Sequence, residues 1–200
     1  MILLTMERPE TSERAEESKM PDAIAFSGSC ACGRITYKTS SIPMACACCH
    51  CITCRKLSGG PFQAFPIVEQ GKISYHDRDL NTAFPGLPAK SEGGISIVSF
   101  SAVGERAFCT DCHTPLAMRY RHEPNFHSVT LGSVDDNSIR DDKVREALAP
   151  NSHIFTSQQA WWCKGIGNDE LRRNERFGGS FERDMEEWEA SNRPSAGGGG

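Results

Sequence analysis

The apolar residues of this chain fall mainly in short runs that alternate with polar residues. Clear runs are Ile24–Phe26, Arg34–Tyr37, Phe62–Val68, Lys72–Tyr75, Ile95–Phe100 and His127–Leu131. Alternation with a period of two, rich in β-branched and aromatic residues and flanked by Gly, Pro, Asn and Asp, is typical of half-buried β-strands. The pattern therefore predicts a mostly β domain built from several short strands.

Two stretches follow a helical period instead. Val144 and Leu148 lie four residues apart, and Pro150 follows them, which predicts one short helix from Asp141 to Leu148. Near the C-terminus, the spacing of Phe181, Met185 and Trp188 would put all three on one face of a short helix starting near Ser180.

The ends of the chain differ in composition from its middle. Residues 1–22 are rich in Glu, Arg, Ser and Thr, and predict a disordered arm because they cannot bury enough apolar surface to offset the entropy of ordering. Residues 168–200 form a charged, low-complexity tail that ends in four glycines, which is expected to be floppy. The folded domain is expected to span 23–167, and a chain of residues 22–168 is expected to fold and bind metal.

Charge and hydropathy exclude two classes of partner. The 200 residues carry a net charge of -4 and an isoelectric point near 5.9, without the dense Lys/Arg stripe that nucleic-acid binding requires. The longest early apolar run, Met1–Leu4, is far shorter than the roughly 20 residues that span a membrane or the core of a signal peptide. We therefore expect a cytoplasmic protein that binds neither nucleic acid nor membranes.

Cysteine is the most informative residue type. The chain has ten cysteines, a lower density than disulfide-built secreted scaffolds show, and most of them stand in tight groups. Disulfide frameworks usually distribute cysteines so that they connect distant loops. Groups separated by one or two residues predict reduced thiols that bind metal.

The first candidate site pairs Cys30-Ala31-Cys32 with a Cys-x-x-Cys stretch near the middle of the chain, Cys109-Thr110-Asp111-Cys112. Four thiolates around a tetrahedral zinc ion make a closed structural site. The alternative is that these cysteines are merely small buried apolar residues.

The second candidate site is the stretch that holds Cys49, Cys51 and Cys54. Three thiols can bind one metal ion and leave a fourth position open, which distinguishes a catalytic zinc from a structural one. The alternative is a second closed site of four thiolates, completed by one of the remaining cysteines: Cys46, Cys48 or Cys163.

Four stretches together resemble the glutathione-dependent formaldehyde-activating family, which includes centromere protein V. They are Gly28-Ser29-Cys30-x-Cys32-Gly33-x-Ile35-x-Tyr37, Cys49-His50-Cys51-x-x-Cys54-Arg55-x-x-Ser58-Gly59, Arg106-x-Phe108-Cys109-x-x-Cys112 with Leu116, and His153-Ile154-Phe155 with a following Trp. The resemblance runs in the family's order from about 28 to 162. It implies a β-tent of small twisted antiparallel sheets held together by zinc.

The resemblance also implies a function. In the family, glutathione is joined to formaldehyde, a reaction classed under carbon–sulfur lyases. The expected site has two zinc ions per chain, a structural ion held by Cys30, Cys32, Cys109 and Cys112 and a catalytic ion held by Cys49, Cys51 and Cys54. Glutathione is the expected co-substrate, with a small electrophile as its partner, and Arg55 is expected to offset excess negative charge or to bind a glutathione carboxylate. The competing hypothesis is a noncatalytic, zinc-stabilised protein-interaction module.

Several neighbouring residues have their own expected roles. His50 lies between two ligands and is expected to point away from their metal, whereas Cys46 and Cys48 are expected to pack on the other side of a strand from Cys49. His113 stands where the family usually has glycine, and we expect it to be a turn residue rather than a ligand.

Overall fold

A computed structural model describes residues 23–163 and 170–192, and the predicted arm, 1–22, lies outside these described residues. Within the described part of the chain, twelve strands form two sheets, accompanied by three α-helices. The strands are β1 (Phe26–Ser29), β2 (Ile35–Thr39), β3 (Cys46–Cys49), β4 (Gln63–Glu69), β5 (Ile73–Asp77), β6 (Thr82–Pro85), β7 (Ile95–Ser99), β8 (Gly104–Cys109), β9 (Pro115–Tyr120), β10 (Phe126–Val129), β11 (Ser152–Ile154) and β12 (Arg172–Arg173). The mostly β prediction is confirmed.

The smaller sheet has four antiparallel strands in the order β1-β2-β5-β6. Its strands follow the alternation seen in the sequence: Ile35, Tyr37 and Thr39 of β2 are buried, whereas the residues between them are exposed. One face of this sheet therefore packs into the core and the other faces solvent.

The larger sheet has eight strands in the order β12-β11-β3-β4-β10-β9-β8-β7. The pairs from β3 to β7 are antiparallel, but β11 runs parallel to both of its neighbours. In that parallel pairing, His153 lies opposite Cys48 and Ile154 lies opposite Cys49. A strand from the end of the family-like region thus lies beside the strand that leads into the second cysteine group.

Both sheets contribute side chains to one main core. Phe26 and Ile35 of the smaller sheet and Ile95, Leu116 and Val129 of the larger sheet are all fully buried in it. The hydroxyl of Tyr75 is 2.9 Å from Nε2 of His127, a buried polar contact between the sheets. The core thus joins the two sheets into one domain.

Of the first two helices, the sequence predicted one and missed the other. Helix α2 (Asp142–Leu148) confirms the predicted short helix, and it buries Val144 and Leu148 in the main core. Helix α1 (Ile52–Ser58) was not expected, and it ends at Gly59 in the left-handed conformation, with φ 67°.

Residues 170–192, which we call the C-terminal segment, contribute strand β12 to the larger sheet and helix α3 (Phe181–Ser191), which begins next to the Ser180 suggested by its apolar spacing. The glycine-rich end of the chain, which was expected to be floppy, lies outside the described residues. Across the described ranges, no helix is long and apolar enough to cross a membrane.

Candidate metal centres and the adjoining cavity

The first cysteine centre consists of four thiols at two neighbouring turns. Cys30 and Cys32 lie in the turn from β1 to β2, whereas Cys109 ends β8 and Cys112 lies in the turn to β9. Their four Sγ atoms all lie within 4.8 Å of one another. The centre therefore connects a hairpin of the smaller sheet to a hairpin of the larger sheet.

The spacing of these sulfur atoms suits a zinc ion. Four sulfurs at ~2.3 Å around a tetrahedral ion are separated by about 3.8 Å. The Sγ atoms of Cys30 and Cys32 are 3.5 Å apart, and those of Cys32 and Cys109 are 3.8 Å apart. The backbone N–H of Ile35 also donates to Sγ of Cys30 at 3.2 Å, as a thiolate ligand would require. The donor set thus fits a closed tetrahedral site.

His113, in the turn beyond Cys112, stands where the family that the sequence resembles usually has glycine. His113 adopts φ 58°, a left-handed conformation that favours glycine, and its backbone N–H donates to the carbonyl of Cys109 at 3.1 Å. Among the described residues, His113 does not join the group of four thiols. It serves as a turn residue, as expected.

An ion-pair network supports the same two turns. The Arg34 guanidinium reaches Asp77 at 3.2 Å and Asp111, beside Cys112, at 2.6 Å. Burial alone would raise the pKa of Asp77, but hydrogen bonds from Arg34 and from the Gly94 N–H hold it below its usual value. The two hairpins of the first centre are therefore joined by the ion pairs of Arg34 as well as by the four thiols.

The second cysteine centre has three thiols, all from one strand–helix junction. Cys49 ends β3, Cys51 is the N-cap of α1, and Cys54 lies inside that helix. The cap places Sγ of Cys51 where it accepts a hydrogen bond from the backbone N–H of Cys54 at 3.3 Å. The three Sγ atoms lie within 4.8 Å of one another, and no other His, Cys, Asp or Glu of the described ranges joins them.

The protonation of these three thiols also favours a bound cation. Hydrogen bonds with the thiols of Cys49 and Cys54 lower the pKa of Cys51 to about 2, and the charge of Arg106 acts in the same direction. The hydrogen bonds with Cys51 and Cys54, together with burial, raise the pKa of Cys49. One thiolate therefore forms readily, but two more at this distance need a cation to offset their repulsion.

Arg106 is the charged residue next to the second centre. From β8, its Nη2 donates to Sγ of Cys54 at 3.3 Å and its Nη1 lies 3.0 Å from Sδ of Met118. Its guanidinium also stands 5.1 Å from the ring centroid of Phe65. These contacts fix a positive charge against the cysteine group.

A cavity of about 350 Å³ adjoins the second centre, and we call it the site cavity. Cys49, Cys51 and Arg106 are among the residues that line it. Much of its wall is apolar or aromatic, and includes Val103, Met118, Tyr120, Phe155, Phe177 and Met185. Glu189, on helix α3, adds a carboxylate to that wall. Two of the three thiols of the second centre thus border a space large enough for a small organic molecule.

The other cysteines lie apart from this group. Cys46 and Cys48 are buried with Ala64 in a separate small apolar cluster, on the opposite side of β3 from Cys49. Cys163 is half-buried, and it does not join the three thiols of the second centre. In the described part of the chain, none of the three completes a four-thiol site, which favours an open fourth position over the closed alternative.

His50 lies behind the second centre rather than in it. Its Nε2 is 2.7 Å from Nδ1 of His153, and both rings are buried beside Phe62. Burial, followed by the proximity of His153, lowers the pKa of His50, so the ring stays neutral at pH 7. Neither histidine is among the residues that line the site cavity.

Arg106, rather than Arg55, is the arginine that the structure places against a thiol of the second centre. Arg55 is a half-buried residue of α1 that is absent from the lining of the site cavity, and its part in binding a carboxylate stays a prediction. Arg106 was noted only as part of a matched stretch, yet it contacts Cys54, 52 residues away in sequence. Phe155 likewise belonged to a matched motif whose role was not interpreted.

One comparison with known proteins covers the region that holds both centres. A family model described as "Glutathione-dependent formaldehyde-activating enzyme" matches residues 25–158. A protein of Schizosaccharomyces pombe described as an uncharacterized lyase is 27% identical over 135 residues, which cover 66% of this chain and 87% of that protein. A crystal structure of a Rhodobacter sphaeroides protein is similar with a TM-score of 0.41 and 14% identity, over 55% of this chain and 88% of that one.

Proposed function

This chain belongs to the glutathione-dependent formaldehyde-activating family, and we propose that it is a zinc-dependent carbon–sulfur lyase. It activates a thiol, glutathione, for reversible addition to an aldehyde or another small electrophile. The observation that carries this proposal is the second cysteine centre, where three thiols converge and two of them, those of Cys49 and Cys51, line the site cavity. The family and the lyase from yeast support a lyase, and the thiol and its acceptor are the proposed part.

In this proposal the two centres divide structure from chemistry. Cys30, Cys32, Cys109 and Cys112 hold the structural zinc ion, since they supply a complete set of four sulfurs. Cys49, Cys51 and Cys54 hold the second ion. When bound there, zinc supplies a Lewis acid that favours the ionised form of a thiol occupying its fourth position.

The reaction adds the thiol across a carbonyl group. A bond forms between sulfur and the carbonyl carbon, the C=O π electron pair moves to oxygen, and the proton given up by the thiol ends on that oxygen. In the lyase direction, the same carbon–sulfur bond breaks and the proton returns to sulfur. No oxidant or reductant is needed.

The chain's own residues supply positioning. Three thiolates and one divalent ion have a formal charge of -1, and the Arg106 guanidinium at 3.3 Å from Cys54 offsets it. Burial raises the pKa of the Tyr120 hydroxyl in the cavity wall, so it keeps its proton and can donate a hydrogen bond to a carbonyl oxygen. The surrounding apolar walls exclude water, which strengthens both interactions.

The competing interpretation as an interaction module requires only a rigid fold. Such a module has no need for a cysteine group that borders a cavity or for a partly buried arginine beside it. The site cavity next to these thiols therefore favours the enzyme.

The decisive experiment measures whether glutathione reaches the second metal ion. Cobalt replaces zinc in the full chain, and its absorption is recorded with and without glutathione, since a new sulfur ligand changes the tetrahedral field. We expect two metal ions per chain and a spectral change that disappears in Cys51→Ser. A spectrum that already shows two four-sulfur sites and ignores glutathione would refute the enzyme proposal.

A further inference from the structure

The C-terminal segment lies outside residues 25–158, which carry the family match, yet it forms part of the site cavity. Phe177, Met185 and Glu189 from this segment line the same space as Cys49 and Cys51. Met185 is almost fully buried there, at 8% exposure. Part of the cavity wall is therefore supplied by residues that the family match does not cover.

Backbone hydrogen bonds fix this segment to the strand beside the second centre. β12 pairs in parallel with β11, and the N–H of Asn174 donates to the carbonyl of His153 at 3.0 Å. The N–H of Phe155 donates to the carbonyl of Arg176 at 3.1 Å, immediately before Phe177. These main-chain hydrogen bonds fix the backbone just before Phe177 and thus determine where Phe177 lies.

Edge-to-face and tilted aromatic contacts then extend this attachment into the cavity wall. The ring of Phe177 lies 4.7 Å from Phe155, 6.0 Å from Tyr120 and 4.5 Å from Phe181. Phe155 holds a left-handed backbone conformation, with φ 56°, which is costly for a bulky residue. Such strain is tolerated where the surroundings fix the ring, and here the ring faces the substrate space.

From this wall we propose that the C-terminal segment selects the carbon group of the substrate, and that the group is uncharged, apolar and preferably aromatic. The inference rests on the proposed function and specifies its acceptor. Phe155 and Phe177 both line the site cavity, so a carbon group bound there lies against their rings. Formaldehyde, with two heavy atoms, would leave Phe155 and Phe177 in contact with water, whereas an arylalkyl group would cover both rings.

The charges in the cavity support an uncharged group. The positive charge of Arg106 is already directed at the Cys54 sulfur, where it offsets thiolate charge, which leaves less of it for an acidic acceptor. Glu189 adds a carboxylate to the wall formed by α3, which would repel an acid such as an oxo acid. The wall therefore disfavours acidic acceptors as well as very small ones.

Stable thioethers of glutathione test the inference without relying on turnover. Calorimetry on the zinc-loaded full chain measures the dissociation constants of S-methylglutathione and S-benzylglutathione, which carry a small and an aromatic group on the same sulfur. We expect the benzyl compound to bind at least tenfold more tightly, because its ring is buried against Phe155 and Phe177. S-(carboxymethyl)glutathione should bind more weakly than its neutral carbamoylmethyl analogue.

Matched variants of the segment identify the residues responsible. Phe177→Leu keeps an apolar side chain but removes the ring, and it should reduce the benzyl-to-methyl preference to about threefold or less. Phe181→Leu is the same change in the same segment, at a ring that is absent from the cavity lining, and it should keep the preference. Glu189→Gln should remove the discrimination against the carboxymethyl compound. Circular dichroism checks that each variant is folded.

The possible outcomes distinguish a failure of this inference from a failure of the proposed function. If both thioethers bind equally, or if Phe177→Leu keeps the full preference, the segment does not select the acceptor, although the enzyme proposal stands. If neither thioether binds and glutathione leaves the cobalt spectrum unchanged, the glutathione assignment fails and this inference fails with it.

Discussion

The two cysteine centres use the same chemistry in opposite ways. The first joins two hairpins from different sheets, and Cys32 and Cys109 are 77 residues apart in sequence. The second takes all three thiols from positions 49–54, at one strand–helix junction. A metal bound by distant parts of the chain stabilises the fold, whereas a metal bound by a local group adds little to it and is free to serve chemistry.

Loss of the first centre should have the largest effect. We expect Cys109→Ser to yield little soluble, folded protein, because structural zinc contributes ~10 to 16 kcal/mol in zinc-finger peptides, as much as the whole stability of a domain. Circular dichroism and the soluble yield measure this effect. Cys163→Ser is the matched control, since Cys163 joins neither centre. A cooperative, unchanged melting curve for Cys109→Ser would contradict the structural assignment.

Loss of the second centre should remove activity and leave the fold. We expect Cys51→Ser to lose about one zinc per chain and all thiol-dependent activity, while its far-ultraviolet spectrum stays that of the native chain. Activity must be measured above the spontaneous rate, because thiols add to formaldehyde without a catalyst. If Cys51→Ser unfolds as Cys109→Ser does, the two centres do not differ as proposed.

Removal of the C-terminal segment should have an intermediate effect. A chain that ends at residue 163 loses the burial of Met185 and the ring contacts of Phe177 and Phe181, worth roughly 3 kcal/mol in total. The melting temperature should fall by about 6 to 12 °C, while the first centre keeps its zinc. Calorimetry and zinc analysis test this; complete unfolding would show that the domain requires this segment.

The smallest expected effect is at Arg106. Arg106→Gln removes the charge beside Cys54, and we expect about tenfold weaker zinc binding at the second centre with an unchanged first centre. Arg106→Lys should recover part of that affinity because it restores the charge. Arg121→Gln is a control, since Arg121 lies on the surface and pairs with Glu105. Competition with a chelator measures the zinc affinities. Equal affinities for Arg106→Gln and the native chain would show that Arg106 does not support zinc binding at the second centre.

Local patterns in the sequence predicted five of the twelve strands in the described part of the chain and both cysteine groups. Alternation marked β2, β4, β5, β7 and β10, and close spacing marked the ligand sets, because both signals depend on neighbouring residues. Helix α1 gave no such signal: it has seven residues and is capped by Cys51, which is not one of the usual N-cap residues.

The remaining features depend on contacts between distant residues. β11 and β12 have three and two residues, too few for a period to appear. Arg106 could be assigned to Cys54 only once the fold placed β8 beside α1. The apolar spacing near Ser180 indicated a helix but not its partner, so the wall formed by Phe177 and Met185 was not anticipated.

The parallel insertion of β11 also sets an order of events during synthesis. The first centre has all four of its thiols once residue 112 has been made, whereas β3, the strand that ends at Cys49, receives its neighbour β11 only after residue 154. At 5 to 20 residues per second, those 42 residues (154 minus 112) take roughly 2 to 8 seconds. During that interval the growing chain can close its first centre, while the edge of β3 beside Cys49 still lacks its partner β11. The first centre can therefore form before the sheet around the second centre is complete.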